Sequence, residues 1–390
     1  MCGQGRYVVC RFAVEDRLRI LCSMQARMSG YAGGVAMEQG WDQGTIVVRE
    51  GEDFDRARLF RYLRAELAGV PGTALQVRQY PSGASNLTYL LHSDRWEAVL
   101  RRPPLGPLPP KAHDMIREAR LLQRLHAAYP LAPNPLLICA DPEVLGVPFY
   151  VMERRYGVVL DDRFPPDIAS TSARCQAISE SVVAALVQLH AIDWQAAGLT
   201  DLGYPDGFLA RQVKGWIGRY AAAKTDDSPE IAELAAWLQM HLPASPAPTI
   251  IHNDFKLNNL LLAPGELTPV VAVLDWEMTT IGDPLFDLGV SLSYWVEADD
   301  PPELRAILPN VTGRAGFYSR REFMARYAEL SGRDLSAIDY YLTLAYFKLA
   351  VILQQIYARW HHGQTRDERF GTFGERVRVL IAHAMMRANG

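Results

Sequence analysis

The eight residues HNDFKLNN, at positions 252–259, lie between the apolar segments TII and LLL. A loop between two buried segments must satisfy its polar groups, because an unpaired buried donor or acceptor destabilises the fold. Taken alone, such an Asp- and Asn-rich loop is usually a turn that hydrogen-bonds to its own backbone. The alternative is a site that holds a charged ligand, and that alternative requires further polar groups elsewhere in the chain.

The composition restricts the class of protein. The chain has 390 residues, of which 49% are hydrophobic, enough for two cores or for one large core with extensions. A formal net charge of -4 gives no generally basic surface. Nucleic acid is therefore not an expected partner.

A membrane partner and secretion are not expected either. The most apolar long segment, Tyr340–Trp360, is interrupted by Lys348, Gln354 and Gln355, so no spanning helix is predicted. Charged residues near the N-terminus interrupt any signal-peptide core. The five cysteines are scattered and form no CxxC pair. We therefore expect a reduced, cytoplasmic protein.

The first part of the chain predicts an extension and then a β-rich unit. Residues 1–44 are rich in Gly and Met with little periodicity, which predicts a poorly ordered N-terminal extension. Within residues 45–153, a helical pattern from Phe54 precedes strand patterns at Ala74–Tyr80, Asn86–Ser93 and WEAVLRRP, which predict a three-stranded meander. A helix over MIREARLLQRL and a hairpin formed by PLLICAD and VPFYVMERR complete this unit.

Residues 154–390 are mostly helical by periodicity. One hairpin interrupts the helices, formed by NNLLLA and PVVAVLDW with a turn at PGEL. A small β-rich lobe followed by a larger helical lobe with an embedded hairpin predicts a two-lobed α+β fold.

Asp275, which ends the second strand of that hairpin, adds a carboxylate that can act together with the polar loop. A hairpin of this length returns Asp275 close to Asn259, and a carboxylate beside an amide oxygen suits Mg²⁺ completed by substrate phosphates. Asp254, on the loop entering the hairpin, can accept a proton from an attacking hydroxyl. These are the parts that phosphoryl transfer needs. A metal-dependent phosphohydrolase would need more ligands than His252, Asp254 and Asp275 provide.

The loop HNDFKLNN followed by LDW resembles the H-x-D-x-x-x-x-N loop and the metal-binding Asp of kinases. With GDPLFDL at Gly282–Leu288, the chain resembles the aminoglycoside-phosphotransferase-type family of small-molecule kinases. This resemblance implies a protein-kinase-like fold, with an ATP-binding N-lobe over residues 45–153. It also implies a C-lobe over residues 154–390 that carries the catalytic loop and binds substrate. ATP and Mg²⁺ are the implied cofactors.

The resemblance also implies roles for the motif residues of the C-lobe. Asp254 would be the catalytic base, and Asn259 and Asp275 would be the Mg²⁺ ligands. His252 would brace the loop through hydrogen bonds. Each role is an expectation about where that side chain lies.

Three neighbouring positions have structural interpretations. Asp283 directly precedes Pro284, as an N-cap precedes the first helical residue, so it predicts a helix start. Asp287 is expected to tie that helix to the catalytic loop. Asn253 departs from the glycine most common there in the family. If that glycine has a positive φ, Asn is the best-tolerated replacement.

The phosphates of ATP are expected to lie against the first hairpin. The segment SGASN corresponds in position to the Gly-rich loop of kinases, although it has one glycine rather than three. Its hydroxyl and N–H groups can face anionic oxygen. The expected contacts are Ser82, Gly83, Ser85 and Asn86.

Arg101 or Arg102 occupies the position of the phosphate-contacting lysine of kinases. Arg101 is the expected one, because it lies two positions after the inward Val99. Its expected partner is Glu118. The hinge is expected at VMERR, where backbone groups near Glu153 and Arg155 would contact adenine.

The substrate is narrowed by a closer resemblance. The phrases NLTYLL, VLRRPPLG, AVLDWEMTTIGDPLFDLG and ILQQIYAR resemble kinase-like domains fused or adjacent to acyl-CoA dehydrogenases. That resemblance implies a hydroxyacyl-CoA acceptor and a functional link to an acyl-CoA dehydrogenase. The Arg- and His-rich segment 358–378 also suits an anionic acceptor better than an aminoglycoside. Gln355 and Arg359 are the candidate acceptor contacts.

Two alternatives stay open. One is an aminoglycoside, choline or homoserine kinase, because a fold does not determine the substrate. The other is a nucleotide-binding pseudokinase or scaffold without turnover. The presence of Asp254, Asn259 and Asp275 together disfavours this second alternative.

Overall fold

The computed structural model describes residues 42, 44–81, 86–105, 113–365 and 367–388. The predicted extension over residues 1–44 lies outside the described residues except for positions 42 and 44, and Ser82, Gly83 and Ser85 also lie outside them. Two compact units are present. The first contains the described residues up to Gly157 and Val271–Glu277, and the second contains Val158–Val270 and the described residues from Met278 onward. The segment with Asp275, which the sequence assigns to the C-lobe, thus belongs to the first unit.

The first unit contains one antiparallel sheet of five strands, in the order β1-β2-β3-β5-β4. The predicted meander and the predicted hairpin are both confirmed by this pairing. The helices of this unit are α1, α2 and a single-turn α3 in the β4–β5 connection. The bounds are β1 (Gln76–Gln79), β2 (Leu87–Ser93), β3 (Trp96–Arg102), β4 (Pro135–Cys139), β5 (Phe149–Met152), α1 (Arg56–Glu66), α2 (Met115–Leu125) and α3 (Pro142–Leu145).

One face of this sheet packs against α1. Leu59 and Leu63 of α1 are fully buried in a core that also contains Leu100 of β3. Because side chains alternate along a strand, Arg102 lies on the same face as Leu100 and Arg101 lies on the opposite face. The two neighbouring arginines therefore have different surroundings.

The second unit is mainly helical, as the sequence predicts. Within the part of the chain that the structure describes, no helix is long and apolar enough to cross a membrane. The helices of this unit are α4 (Ser172–His190), α5 (Phe208–Ala223), α6 (Pro229–Met240), α7 (Pro284–Ser293), α8 (Pro302–Ile307), α9 (Arg320–Ser331), α10 (Ile338–His361) and α11 (Phe373–Ala388).

Short strands flank the polar loop. β6 (Thr249–Ile251) ends directly before it, and a 3₁₀ turn at Leu257–Asn259 leads into β7 (Leu260–Leu262). The following turn is closed by the Ala263 N–H, which donates to the Pro269 carbonyl at 2.9 Å.

Two further strands complete this region. β8 (Val270–Val273) begins in the second unit and ends in the first, and β9 (Thr280–Gly282) pairs antiparallel with β6. Ile250 lies opposite Ile281 in that pair. The sequence does not predict the pair, because three residues are too few for a strand alternation to be recognised.

Helix α10 packs against α5 and α7 in the second unit. Its close approach to α7 requires Gly289, because a Cβ there would lie 2.8 Å from the Tyr341 carbonyl oxygen. The Tyr341 hydroxyl donates to Asp283 Oδ2 at 2.7 Å. Asp283 in turn is the N-cap of α7, accepting the Leu285 N–H at 2.9 Å. These contacts fix α10 against the start of α7.

Candidate active site

A buried carboxylate from α7 holds the loop that follows β6. Asp287 is fully buried, and its two oxygens accept the backbone N–H groups of His252 and Asn253, each at 2.7 Å. His190 of α4 contacts Asp287 Oδ2 through Nε2 at 3.1 Å. Burial raises the pKa of the Asp287 carboxyl, but the hydrogen bonds from the His190 side chain and the His252 N–H outweigh this effect and leave the pKa below its ordinary value. Asp287 therefore ties α7 to the loop.

His190 extends this network into the core, which the sequence shows only as an apolar helix position. Its Nδ1 lies 2.7 Å from the Tyr327 hydroxyl. Burial lowers the pKa of His190, so the ring is neutral near pH 7. We infer that Nε2–H donates to Asp287 and that Nδ1 accepts from Tyr327.

Asn253 has a left-handed backbone with φ 67°, as the sequence predicts for a replacement of glycine. Its N–H donates to Asp287, and its Nδ2 donates to the Met278 carbonyl at 2.8 Å. Its own carbonyl accepts from Lys348 Nζ of α10 at 2.7 Å. Three partners thus hold a conformation that non-glycine residues rarely adopt.

Asp254, the predicted base, is oriented by residues of the same loop. Asn259 Nδ2 donates to Asp254 Oδ2 at 3.0 Å and to the Asp254 carbonyl at 2.9 Å. Lys256 Nζ lies 3.0 Å from the same Oδ2. The Asp254 N–H donates to Nδ1 of the fully buried His252 at 3.3 Å, so His252 braces the loop.

Lys256 and Lys348 are two cations that the sequence reasoning missed. Lys256 Nζ lies 4.8 Å from the ring centre of Tyr294, and burial together with the Asp254 charge raises the pKa of that tyrosine to about 12. Lys348 is buried, and burial lowers its pKa to about 8 although the charges of Asp254 and Asp287 oppose this shift. The sequence signal for Lys256 was its place two residues after Asp254. For Lys348, the sequence shows only one charged residue within an apolar helical segment.

A second group of charges lies in the first unit, around Arg101. Arg101 Nη1 lies 3.2 Å from Glu118 Oε1, and Arg101 Nη2 lies 3.0 Å from Asp275 Oδ1. Burial lowers the pKa of Arg101, but the nearby Glu118 and Asp275 outweigh this and raise it above its ordinary value. Burial also raises the pKa of Glu118. Arg102 instead donates to the Tyr89 hydroxyl at 2.9 Å on the other face of the sheet.

Asn86, predicted to contact phosphate, has protein partners in the first unit. Its Nδ2 donates to Glu277 Oε2 at 2.9 Å, and its Oδ1 lies 2.9 Å from His113 Nδ1. Glu277 follows Asp275 by two positions, and the Asp275 backbone is left-handed with φ 67°. The sequence reasoning missed Glu277, which places Asn86 beside the Asp275 segment.

At the predicted hinge, backbone and side-chain groups of Glu153 and Arg155 already have partners within the protein. The Glu153 N–H donates to the Asn134 carbonyl at 2.9 Å, and Glu153 Oε1 accepts the Asn134 N–H at 2.7 Å. Arg155 lies 2.6 Å from the same carboxylate and donates to the Pro130 carbonyl at 2.8 Å. The Glu153 N–H is therefore already paired, so an adenine contact at Glu153 would have to use another group.

The two candidate acceptor contacts lie on α10. Gln355 is half-buried and Arg359 is exposed, and they are four residues apart. Residues at this spacing lie on one face of a helix. The structure therefore places Gln355 and Arg359 on the same face of α10.

The donor set fits Mg²⁺ by its chemistry. The described ranges contain no group of three or more His, Cys, Asp or Glu side chains that could hold a metal alone. Mg²⁺ needs fewer protein ligands, because it keeps water and shares phosphate oxygens. Asn259 uses its amide nitrogen for Asp254, which directs its carbonyl oxygen away from that carboxylate. Asn259 offers an amide oxygen in the second unit and Asp275 offers a carboxylate in the first unit, and each is a ligand type that Mg²⁺ prefers.

The two units and this loop define a class of protein, the phosphotransferases with a protein-kinase-like α+β fold. A family model described as the phosphotransferase enzyme family (APH) matches residues 76–323. The chain therefore belongs to this phosphotransferase family, which confirms the family resemblance of its motifs.

One curated relative is "Acyl-CoA dehydrogenase family member 11" of Gallus gallus, which is 36% identical over 351 residues. The match covers 87% of this chain and 44% of the relative. The chain thus spans less than half the length of the curated relatives it matches. This likeness confirms the resemblance to kinase-like domains associated with acyl-CoA dehydrogenases.

Solved structures share the fold. A protein of Ralstonia eutropha JMP134 described as a "putative aminoglycoside phosphotransferase" matches with a TM-score of 0.75 and 29% identity, over 86% of this chain and 99% of that one. A thermostable mutant of aminoglycoside phosphotransferase APH(4)-Ia, in complex with AMP-PNP and hygromycin B, matches with a TM-score of 0.52 and 19% identity, over 85% and 96% of the two chains. The second likeness supports the fold alone.

Proposed function

We propose that this chain transfers the γ-phosphoryl group of ATP to a hydroxyl group of a small molecule, with Mg²⁺ as cofactor. The observation that carries the proposal is the position of Asp254. Its carboxylate is oriented by Asn259 and Lys256, and its loop is anchored by the buried Asp287. A carboxylate fixed in this way is suited to accept a proton from an attacking hydroxyl.

The chemical step moves one proton and one phosphoryl group. The acceptor oxygen forms a bond to the γ-phosphorus while the bond from that phosphorus to ADP oxygen breaks, and the electron pair leaves with ADP. The acceptor proton passes to Asp254. Lys256, 3.0 Å from Asp254, supplies positive charge where negative charge is transferred.

Nucleotide binding is assigned to the first unit. Arg101 is the group proposed to bind phosphate oxygen, because it is a buried cation held by Glu118 and Asp275. Asn259 and Asp275 are the proposed Mg²⁺ ligands. When bound, Mg²⁺ supplies charge neutralisation on the phosphates. The solved structure of APH(4)-Ia, which shares the fold of this chain, was determined with the nucleotide analogue AMP-PNP.

The proposed acceptor is a hydroxyacyl-CoA, which has both a hydroxyl group and several negative charges. The relatives named as acyl-CoA dehydrogenase family members support this choice and a functional link to such a dehydrogenase. The described part of the C-terminal region also contains several basic side chains. They are Arg359, His361, His362, Arg369, Arg376 and Arg378.

The test measures phosphate transfer from Mg-ATP to a panel of alcohols, including 4-hydroxyacyl-CoA, kanamycin and choline. Asp254→Ala should lower kcat by about 10²–10⁴-fold while Mg-ATP affinity changes little, because it removes the base alone. Asp275→Ala should weaken Mg-ATP binding itself. Asp167→Ala, an exposed position of the second unit, is the matched control and should behave as wild type.

Three outcomes contradict parts of the proposal. Transfer to kanamycin or choline but not to hydroxyacyl-CoA would refute the acceptor. Mg-ATP binding without transfer to any alcohol would favour the pseudokinase. Small and equal effects of the Asp254 and Asp275 substitutions would refute the assigned roles.

A further inference from the structure

Lysine is rare in this chain, and its distribution is uneven. Only five of the 40 Lys and Arg residues are lysines. Lys214 and Lys224 are exposed, whereas Lys256 belongs to the catalytic loop and Lys348 contacts it. The other 35 of these 40 residues are arginines. The two lysines at the loop therefore call for a specific explanation, and only Lys256 lies beside the reacting groups.

Lys348 has an unusual environment for an ammonium group. It is 6% exposed, and within the described residues its hydrogen bond goes to the Asn253 carbonyl at 2.7 Å. Its Nζ lies 5.8 Å from the ring centre of Trp216 and 5.6 Å from that of Phe286. One carbonyl and two aromatic rings offset only part of the cost of burying an ammonium group, so this position lowers stability, and a functional role would explain why a lysine is placed there.

The Asn253 carbonyl belongs to the same planar peptide as the Asp254 N–H. Lys348 holds the oxygen of this peptide, and His252 Nδ1 accepts its N–H at 3.3 Å. Both edges of the peptide are thus fixed. The plane of a peptide sets where the next side chain emerges, so these two contacts control the direction of Asp254.

We propose that Lys348 is a positioning residue for phosphoryl transfer, which fixes the Asn253–Asp254 peptide and thereby the direction of the Asp254 carboxylate. This inference rests on the proposed function, because it takes Asp254 as the base. Helix α10 contains none of the residues assigned to the base or to the Mg²⁺ ligands. Through Lys348 it nevertheless becomes part of the catalytic apparatus.

The electrostatic surroundings of Lys348 agree with this role. Burial lowers its pKa to about 8, and the charges of Asp254 in the loop and Asp287 on α7 act against burial. Lys256 in the loop and Arg219 on α5 lower the pKa further. Lys348 is thus charged at pH 7 and loses its proton at moderately alkaline pH.

The kinetic test compares Lys348→Met, Lys348→Arg and the exposed control Lys214→Met. The reaction measured is transfer to 4-hydroxyacyl-CoA and, without acceptor, hydrolysis of ATP by water. Lys348→Met should lower kcat by about 10–100-fold with little change in the KM for ATP, because it misdirects the base without touching nucleotide. Lys348→Arg should retain more activity, and Lys214→Met should match wild type.

The pH profile separates positioning from a structural role. Wild-type kcat should fall as the pH rises above about 8, because loss of the Lys348 proton weakens a charge-assisted bond. Lys348→Arg should lack this decline, because arginine stays charged. A structural role would lower the folded fraction and leave the shape of the profile unchanged.

A second measurement does not depend on turnover. With ¹³C- and ¹⁵N-labelled lysine, five side-chain signals are expected, and that of Lys348 is the one missing in Lys348→Met. It should titrate near pH 8, and Asp254→Asn should shift its titration to lower pH by removing a nearby negative charge.

The outcomes are distinguishable. If Lys348→Met folds and keeps a kcat within about twofold of wild type, the inference is wrong, since misplacing a base should cost far more. If Lys348→Met does not fold, the pH profile of kcat for Lys348→Arg is the deciding measurement. A fall in kcat above about pH 8 that is the same in Lys348→Arg as in wild type would overturn the inference. Titration of Lys348 at the ordinary lysine pKa of 10.5 would refute the buried contact itself. Wild type without any transfer would instead refute the proposed function, whatever the lysine signals show.

Discussion

Replacing Asp287 by Asn tests how the catalytic loop is held. The carboxylate accepts the N–H groups of His252 and Asn253 with one oxygen each. An asparagine has nearly the same volume but only one oxygen, and its NH₂ group would face one of these N–H donors. One buried backbone donor would therefore lose its acceptor in Asp287→Asn, and the contact to His190 would lose its charge.

The size of the effect follows from these lost contacts. A hydrogen bond to a charged group contributes roughly 1.5–3 kcal/mol, and an unsatisfied buried donor costs roughly 1–3 kcal/mol. Because Asp287 is fully buried, solvent does not screen its interactions. We expect Asp287→Asn to lower the free energy of unfolding by about 3 kcal/mol. For a unit of this size, that corresponds to a fall in Tm of roughly 6–12 °C.

The assay is thermal and urea unfolding followed by circular dichroism, with the exposed Asp167→Asn as control. The pKa of Asp287 is lowered in the folded protein, so its contribution is present above the unfolded pKa and is lost as the pH falls through the folded value. The gap between wild type and Asp287→Asn should therefore narrow below about pH 4. If the free energy of unfolding of Asp287→Asn lies within about 0.5 kcal/mol of the wild-type value at pH 7, Asp287 does not hold the loop as described.

Two further predictions concern stability. Asn253→Val should destabilise the fold by about 2 kcal/mol more than Asn253→Gly does, because a β-branched residue strongly disfavours the positive φ that glycine adopts readily. Equal denaturation midpoints for the two variants would contradict this prediction. Burial, together with the charges of Arg387 and Arg320, lowers the pKa of His383 to about 4. The contribution of the neutral His383 ring to the free energy of unfolding is therefore complete above the unfolded pKa of 6.5 and is lost as the pH falls from 6.5 towards 4. His383→Phe should remove that part of the acid sensitivity in urea titrations, and an unchanged pH dependence would show that His383 does not contribute.

The sequence predicts the parts of this site that depend on local spacing. Asp254 and Asn259 lie five residues apart, and their contact follows from one short loop. The alternation of β3 separates Arg101 from Arg102, and the helix-start pattern at Asp283 identifies an N-cap. These features are readable because each involves residues within a few positions of one another.

The contacts missed by the sequence reasoning are those made between distant segments. Lys348 lies 95 positions from Asn253, and Asn86 lies 191 positions from Glu277. Neither pairing has a local periodicity, because the packing of whole helices and strands creates it. His190 likewise occupies an ordinary buried helix position and acquires its role only through Asp287. The sequence therefore predicts candidate reacting groups more readily than it predicts the side chains that orient them.

The most direct measurement of the central claim is mass spectrometry of 4-hydroxyacyl-CoA incubated with Mg-ATP and either wild type or Asp254→Ala. We predict that the thioester gains one phosphate with wild type, with one ADP formed for each product, and that Asp254→Ala gives almost none. A phosphorylated product formed equally well by Asp254→Ala, or none from wild type with any alcohol of the panel, would contradict this account.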